Sequence, residues 1–301
     1  MSKLLDLIKE KSLVISDGAW GTLLQQKGLP PGGCPESWNI SHADVVRQIP
    51  EQYISAGAEV VLTNSFGGSP FKLDLFGLAD SAYNLNFAAA KISREAAGDT
   101  VLVLASVGPT SKFLAPIGDV SEKEMIENFK IQIKGLAEGG ADAILIETMS
   151  DIGEANCAVK AAREVCDLPV LVSMTLEKGK KGYRTLMGNS VEEIVNFFTR
   201  EGVDILGTNC GNGTAGIVEI VREFRQLTDK PIVAHPNAGL PIVQDGETIF
   251  PERPDEMASL VPDLVDAGAN IIGGCCGTGP DHIRAISQQI RTIRQYRENL
   301  Q

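Results

Sequence analysis

The sequence has 301 residues, of which 43% are hydrophobic and 22% are charged, and its formal net charge is −12. This balance is typical of a folded protein with enough apolar material for one large core. No apolar run approaches the ~18 residues that cross a bilayer, and the first residues lack a signal-peptide core. We therefore expect a cytoplasmic protein with no membrane span. A strongly acidic surface repels phosphate backbones, so nucleic acid is not an expected partner.

Short apolar runs of β-forming composition alternate with longer segments of helical period. The predicted strands span residues 13–17, 59–63, 101–107, 142–147, 169–175, 204–209, 231–237 and 270–274. Amphipathic segments that predict helices include residues 44–56, 122–138, 154–164, 191–201, 255–267 and 280–297. Each strand run is apolar enough to be buried on both faces, as the strands of a parallel sheet are.

Eight strands with helices between them predict a single α/β domain over residues 1–301, built as a closed (β/α)8 TIM barrel. An open, doubly wound sheet is the alternative, but no glycine-rich phosphate loop follows the first strand. No linker rich in proline, serine or charge interrupts the chain, so one domain is the simplest interpretation. The basic segment 178–184 is broken by glycines and is expected to be a solvated loop.

Three of the six cysteines stand at predicted carboxyl ends of strands, where barrel enzymes carry their chemistry. Cys210 ends the sixth strand, and Cys275 and Cys276 end the eighth, with glycines on both sides. Three thiolates suit Zn²⁺ with a fourth tetrahedral position left open, which is the arrangement of a catalytic zinc site. The alternatives are small buried apolar side chains and a redox-active pair at Cys275 and Cys276.

The other cysteines and the histidines have no comparable placement. Cys157 and Cys166 fall on or after a predicted helix and are expected to be bystanders, and Cys34 takes no assignment. The three histidines show no metal-ligand spacing. His235, near the end of the seventh strand, is expected at most to form part of a pocket wall.

Seven short motifs resemble the homocysteine S-methyltransferase family, and most closely the homocysteine-binding domain of cobalamin-dependent methionine synthase. In chain order they are Asp17-Gly-Ala-Trp-Gly-Thr22, Thr63-Asn-Ser-Phe-Gly67, Val107-Gly-Pro-Thr110, Glu147-Thr-Met-Ser-Asp151, Gly207-Thr-Asn-Cys210, Pro236-Asn-Ala-Gly239 and Gly273-Gly-Cys-Cys-Gly-Thr278. The last motif is highly specific, and the order and spacing of the set strengthen the weaker ones.

This resemblance implies a zinc-dependent enzyme that methylates the thiol of homocysteine to give methionine. Carried over by position, Cys210, Cys275 and Cys276 would hold the zinc. A thiol with an ordinary pKa of ~8.5 is mostly protonated at neutral pH, and zinc coordination favours its nucleophilic thiolate form.

The resemblance also implies a binding site for the amino-acid part of homocysteine. Asp17 and Glu147 would bind its amino group. Backbone amides near Gly18, Ala19, Ser106 and Val107 would receive its carboxylate, and Asn209 and Asn237 would shape the site beside the metal. Glu147 closes an apolar run, where an unpaired carboxylate is costly without a cationic ligand. The alternatives are an ion pair for Glu147 and a turn-forming Asp-Gly for Asp17.

For the methyl donor, Glu36-Ser-Trp-Asn39 and the motif that begins at Glu147 resemble the cobalamin-dependent enzyme more than the betaine or S-methylmethionine branches. The chain ends soon after its last predicted helix, so we expect methylcobalamin to be supplied by a separate corrinoid protein. A small onium donor is the alternative, because Trp20 and Trp38 could form an aromatic cage around its cationic centre. A barrel lyase would need a Schiff-base lysine or a carboxylate metal cluster, and neither is predicted.

Overall fold

The computed structural model describes residues 2–244 and 247–299 of the chain. Eight parallel strands form one sheet: β1 Val14–Ile15, β2 Val60–Leu62, β3 Leu102–Val107, β4 Ala143–Met149, β5 Val170–Met174, β6 Ile205–Asn209, β7 Ile232–His235 and β8 Ile271–Ile272. Each lies within or overlaps a predicted strand. Their order in the sheet is β1-β8-β7-β6-β5-β4-β3-β2, so neighbours in the chain are neighbours in space everywhere except at the β1–β2 seam.

The two edge strands of this sheet also meet. The amide of Glu59 donates to the carbonyl oxygen of Ile15 at 2.8 Å, and the amide of Leu62 donates to Oδ2 of Asp17 at 2.8 Å. These bonds join β2 to β1 and close the sheet on itself. The predicted (β/α)8 barrel is therefore confirmed, and the open doubly wound alternative is wrong.

Helices surround the barrel and return the chain from each strand to the next. They span Lys3–Lys11, Trp20–Gln26, Trp38–Ser41, Ala43–Ser55, Pro70–Leu73, Ala82–Ala97, Glu122–Glu138, Ile152–Val165, Val191–Arg200, Thr214–Leu227, Pro254–Ser259, Val261–Ala267 and Pro280–Glu298. Short 3₁₀ turns lie at Pro35–Ser37, Asp74–Phe76 and Ala79–Ser81. Within the described part of the chain, none of these helices combines the length and the apolar character needed to cross a membrane.

Local sequence explains where two of the outer helices begin. The side chains of Ser121 and Ser190 accept a hydrogen bond from the amide three residues later, and the glutamates at those positions bond back. This reciprocal capping box satisfies amides that the first helical turn leaves without partners. The helices Glu122–Glu138 and Val191–Arg200 therefore begin close to their predicted starts.

Two antiparallel hairpins extend from the carboxyl side of the barrel, in the loops after β5 and β7. They pair Glu177–Gly179 with Gly182–Arg184 and Ile242–Gln244 with Glu247–Ile249. The first hairpin covers the basic segment 178–184. Residues 178–182 are exposed, as expected of a solvated segment, but the segment forms a hairpin and not an irregular loop. Lys178 and Tyr183 both bond to Glu219 of the helix Thr214–Leu227, which fixes the segment against the barrel.

The barrel interior is filled by alternate residues of the strands. At the middle and amino-terminal levels these are the apolar side chains of Val14, Val60, Leu62, Leu102, Leu104, Ala143, Leu145, Leu171, Ile205, Val233 and Ile271. The same alternation places polar side chains inward at the carboxyl ends, at Ser106, Glu147, Ser173 and Asn209. The outward residues pack on the helices in a second, larger core. The interior therefore changes from apolar to polar at the rim where the strands end.

Gly207 tests how tightly the barrel is packed. A Cβ at this position would overlap the carbonyl oxygen of Val233 on β7. We expect Gly207→Ala to force β6 and β7 apart and to lower the free energy of unfolding by about 3 kcal/mol or more. Gly21→Ala is the matched control, because no atom lies within 4 Å of that added methyl group and the residue is helical. Urea unfolding that gives equal midpoints for the two variants would contradict this account.

Candidate active site

Three cysteine thiols meet at the carboxyl rim of the barrel. The Sγ atoms of Cys210, Cys275 and Cys276 all lie within 4.8 Å of one another, and those of Cys210 and Cys276 are 3.8 Å apart. They come together because β6 and β8 both border β7 and end at the same rim. The predicted convergence of these three cysteines is what the structure shows.

The spacing of the thiols suits a tetrahedral metal ion. With metal–sulfur bonds of ~2.3 Å, two sulfurs at the corners of a tetrahedron lie ~3.8 Å apart. All three side chains are half-buried and line one cavity, so a fourth position can face that cavity. The donor set of three sulfurs therefore fits Zn²⁺ with an open site.

Backbone geometry turns the cysteines toward each other. Cys210 has a φ of 60° and Gly211 a φ of 67°, so the chain turns sharply at the end of β6. A positive φ is uncommon for a residue with a side chain and must be held by its surroundings. Here the amide of Cys210 donates to the carbonyl oxygen of His235 at 3.1 Å. Oδ1 of Asn237 accepts from the amide of Cys276 at 3.1 Å, which fixes the second cysteine loop.

The ionisation of each of the three thiols depends on the other two. Hydrogen bonds from the Cys275 and Cys276 thiols stabilise a thiolate at Cys210 and lower the pKa of that residue. The same interactions raise the pKa values of the two donors. A cation held between the sulfurs would favour the thiolate form of all three.

A hydrogen-bond network holds the loop after β8 against the loop after β1. The amide of Ala19 donates to Oγ1 of Thr278 at 3.1 Å, and the amide of Gly274 donates to the carbonyl oxygen of Asp17 at 2.9 Å. A Cβ at Gly18 would lie 2.7 Å from Oγ1 of Thr278. The close approach of the two loops explains why the motif requires a glycine there.

Two buried carboxyl groups lie beside the cysteines. Burial raises the pKa of Asp17 to about 7, and burial together with the charge of Asp17 raises that of Glu147 to about 7. Ser106 donates a hydrogen bond to Glu147. Among the described residues neither carboxyl group has a lysine or arginine partner, so the ion-pair alternative for Glu147 is not what the structure shows. A buried carboxylate of this kind favours a cationic ligand.

The two carboxyl groups differ in their access to the cavity. Glu147 lines it, whereas Asp17 is 1% exposed and lies behind the lining residues. Oδ2 of Asp17 accepts from Nε1 of Trp20 at 2.9 Å and from the amide of Leu62 at 2.8 Å. Asp17 therefore has a structural role at the seam, and its contact with an amino group stays a prediction.

Asn209 connects Thr148, the residue after Glu147, to the cysteines. Its Oδ1 accepts from the hydroxyl of Ser173 at 2.7 Å and from the amide of Thr148 at 2.9 Å. Its Nδ2 donates to Oγ1 of Thr148 at 2.7 Å and lies 3.8 Å from Sγ of Cys275. The predicted position of Asn209 beside the cysteine cluster is therefore what the structure shows.

Two of the backbone amides predicted to bind the substrate carboxylate already donate hydrogen bonds within the protein. The amide of Ala19 donates to Oγ1 of Thr278 at 3.1 Å, and the amide of Ser106 donates to Oγ1 of Thr63 at 3.0 Å. To bind a substrate carboxylate, these amides would have to exchange their present partners. Their role stays a prediction, as does that of Gly18 and Val107.

One cavity of about 440 Å³ joins these groups. Its lining includes the three cysteines and Glu147, and also Glu36, Phe66, Lys72 and Phe76. The sequence predicts no role for these four residues. Phe66 stands in a quoted motif, but Lys72 carries no sequence signal, because only the folding of the loop after β2 brings it to the cavity.

Of the three residues Trp20, Trp38 and His235, the candidates for cage or wall residues, only Trp20 lines the cavity. Trp20 lines the cavity, but Trp38 is buried and stacks on the ring of His42 with centroids 4.3 Å apart. His235 is buried at the end of β7 and is not among the cavity-lining residues. Burial lowers the pKa of His235 to about 4, so it is a neutral side chain near neutral pH.

These features define a barrel enzyme whose cavity joins a cluster of three cysteines to a buried carboxyl group. Residues 14–290 match the family model described as homocysteine S-methyltransferase, and the chain belongs to that family. Family membership argues against the barrel-lyase alternative, and the predicted family is confirmed.

Comparison with individual proteins agrees with this assignment. The chain is 32% identical over 298 residues to the methionine synthase of Mycobacterium leprae, a match that covers 92% of this chain and 24% of that protein. It is 31% identical over 310 residues to the methionine synthase of Mycobacterium tuberculosis, covering 97% and 26%. The chain thus spans about a quarter of the length of these relatives.

The fold also matches a solved structure. The metallated form of the homocysteine methyltransferase MmuM from Escherichia coli superposes with a TM-score of 0.81 at 23% sequence identity. The match covers 95% of this chain and 99% of that one. At this identity the likeness establishes the fold.

Glu147→Gln is expected to stabilise the substrate-free protein at about pH 8 and to have little effect near pH 4.5. The unfolded chain ionises a glutamate near its ordinary pKa of 4.5, whereas the pKa of Glu147 is about 7 in the folded protein. The ionised carboxylate therefore opposes folding, increasingly from pH 4.5 to pH 7 and by a constant amount above that. At about 1.4 kcal/mol per pKa unit, the effect amounts to a few kcal/mol.

Unfolding midpoints measured across this pH range test the expectation. Glu51→Gln is the matched control, because Glu51 is exposed on the helix Ala43–Ser55 and its carboxyl group stays in water. A stabilisation by Glu147→Gln that does not change with pH would show that burial of charge is not its cause.

Proposed function

We propose that residues 1–301 form one homocysteine-binding barrel that transfers a methyl group to the thiol of homocysteine and yields methionine. The observation that carries this proposal is the single cavity that connects three metal-competent thiols to the unpaired carboxyl group of Glu147. A molecule with a thiol at one end and an ammonium group at the other matches both. The cytoplasmic location and the lack of a nucleic acid partner stay predictions from composition.

The chain's own residues position the acceptor. Glu147 would receive the ammonium group, with the charge of Asp17 behind it adding to the attraction. Asn209 and Asn237 hold the strand ends so that the thiol of the substrate enters between the cysteines. The walls of the cavity exclude most of the solvent from the sulfur and so strengthen these polar interactions.

Cys210, Cys275 and Cys276 would hold Zn²⁺, for which their number and spacing are suited. When bound, zinc supplies the Lewis-acid chemistry that keeps a thiol in its thiolate form at neutral pH. The sulfur lone pair then attacks the methyl carbon of the donor. The thiol proton passes to solvent when the thiolate forms. The new sulfur–carbon bond then forms as the donor's bond to that carbon breaks, and the electron pair of the broken bond stays on the donor.

The purified protein is expected to contain about one zinc per chain. Cys210→Ala, Cys275→Ala and Cys276→Ala should each lower the zinc content and the affinity for zinc in chelator competition, because each removes one of three sulfur ligands. Cys157→Ala and Cys166→Ala are the controls, since these residues lie within and directly after the helix Ile152–Val165. Full zinc retention in any of the first three variants would remove that cysteine from the ligand set.

For the methyl donor we propose methylcobalamin carried by a separate corrinoid protein. Phe66 and Phe76 line the cavity and are exposed. The loops after β2, β3, β5 and β7, on the carboxyl side of the barrel, expose further large apolar side chains: Leu75, Phe113, Ile117, Leu186, Leu240, Ile242 and Val243. Exposed apolar surface of this kind is typical of a protein-binding face. The two mycobacterial relatives are methionine synthases, which also supports this choice over a small onium donor.

The structure weakens the onium alternative at one point. A cage for a quaternary cation needs aromatic faces turned toward it. Trp38 is stacked on His42, and the indole nitrogen of Trp20 is bonded to Asp17. The two tryptophans therefore do not form the cage that this alternative requires.

Parallel assays of homocysteine methylation decide the donor. Free methylcobalamin is expected to support methionine formation, whereas betaine, dimethylglycine and S-methylmethionine should not, because Trp38 does not line the cavity and cannot join Trp20 around their cationic centres. Turnover with a small onium compound and none with methylcobalamin would overturn the proposed donor. That result would leave the zinc and homocysteine proposals standing.

A further inference from the structure

The backbone of Thr148 is strained at the point where β4 enters the cavity. Its φ is 59°, which for a β-branched residue is a genuine outlier, and the pairing of β4 with β5 shifts register between Ile146 and Met149. Strain of this kind persists only where the surrounding structure enforces it, and it concentrates at functional sites.

This distortion has a direct consequence for the cavity. Consecutive residues of a regular strand face opposite sides of the sheet, so only one of Glu147 and Thr148 could face the barrel interior. Because the chain turns at Thr148, both residues line the cavity. The distortion therefore adds a hydroxyl group to the site immediately beside the carboxyl group of Glu147.

Asn209 sets the direction of that hydroxyl group. Its Nδ2 donates to Oγ1 of Thr148 at 2.7 Å, and its Oδ1 accepts from the amide of Thr148 at 2.9 Å. A hydroxyl that accepts one hydrogen bond still has its own proton to donate. The half-buried Thr148 side chain can therefore present an O–H donor to a ligand in the cavity.

A substrate with an α-carboxylate needs such a donor. Two of the amides predicted for this role, those of Ala19 and Ser106, already donate to Thr278 and Thr63. In an α-amino acid the carboxylate is attached to the same carbon as the ammonium group. With the ammonium at Glu147, the carboxylate lies within reach of the next residue, whose Cα is ~3.8 Å along the chain.

We propose that Thr148 is a specificity-determining residue whose hydroxyl donates a hydrogen bond to the carboxylate of the acceptor. The strained turn places the hydroxyl, and Asn209 orients it. Glu147 and Thr148 then recognise the two charged groups of an α-amino acid side by side. This inference rests on the proposal that homocysteine is the acceptor.

Four thiols test the contacts of the two charged groups separately. Homocysteine carries both the carboxylate and the ammonium group, 4-mercaptobutanoate only the carboxylate, 3-aminopropane-1-thiol only the ammonium group, and propane-1-thiol neither. Their dissociation constants are measured by calorimetry on the zinc-loaded wild type, Thr148→Val and Thr148→Ser. Valine keeps the shape and the β-branch, and so the backbone strain, but removes the hydroxyl. Serine keeps the hydroxyl.

Thr148→Val is expected to weaken the two carboxylate-bearing thiols by about tenfold to a hundredfold, the worth of a hydrogen bond to a charged group. The other two thiols should bind unchanged, and Thr148→Ser should bind all four like the wild type. Glu147→Gln provides the complementary pattern, because it should weaken the two amino-bearing thiols instead. Should Thr148→Val fail to fold, Thr148→Gly removes the hydroxyl at a backbone angle that glycine accepts.

The two proposals fail in distinguishable ways. If the wild type binds homocysteine no better than propane-1-thiol, the proposed acceptor is wrong and the role of Thr148 falls with it. If the wild type prefers homocysteine but Thr148→Val weakens all four thiols equally, or none, the hydroxyl does not recognise the carboxylate. A loss in Thr148→Ser equal to that in Thr148→Val would also overturn the inference.

Discussion

The closure of the parallel sheet between β1 and β2 is the constraint on which the rest of this structure depends. At the amino end of the seam, the amide of Glu59 donates to Ile15 and its carboxylate accepts from the amide of Ile15 at 3.1 Å. At the carboxyl end, the carboxylate of Asp17 accepts from the amide of Leu62. Two acidic side chains thus satisfy backbone groups that the two-residue strand β1 cannot pair by itself. Closure brings every strand end to one rim, and the cysteines meet there.

The two ends of the seam balance charge differently. Glu59 is bonded to Lys11 at 2.8 Å and to Arg294, so its negative charge is compensated by the protein. At the other end, the acidic groups Asp17 and Glu147 share their surroundings with three thiols, and within the described chain no lysine or arginine pairs with either carboxylate. Buried anionic groups without partners are costly. This end of the barrel therefore favours cations from outside, and the proposed function supplies two, a metal ion and a substrate ammonium group.

Backbone strain is concentrated at the same rim. Cys210 and Thr148 both adopt a positive φ, at the ends of β6 and β4, and Asn209 lies between them. In each case the turn directs a polar side chain into the cavity, whereas a regular strand would direct that side chain away from it. The barrel below, with its apolar interior, is regular enough to hold these departures in place. The lower level of the strands, with its apolar interior, thus provides stability, and the rim of the same strands provides the geometry of the site.

The sequence by itself determined the eight strands, the barrel and the meeting of the three cysteines. These follow from local periodicity and from the rule that parallel strands end on one side, which require no knowledge of individual contacts. The tertiary structure alone decided that the basic segment 178–184 is a hairpin, because its anchor is the distant Glu219. It also decided that the amides of Ala19 and Ser106 are engaged and that Thr148 faces the cavity. Each of these outcomes depends on hydrogen bonds between residues far apart in the chain, and local sequence pattern carries no information about such partners.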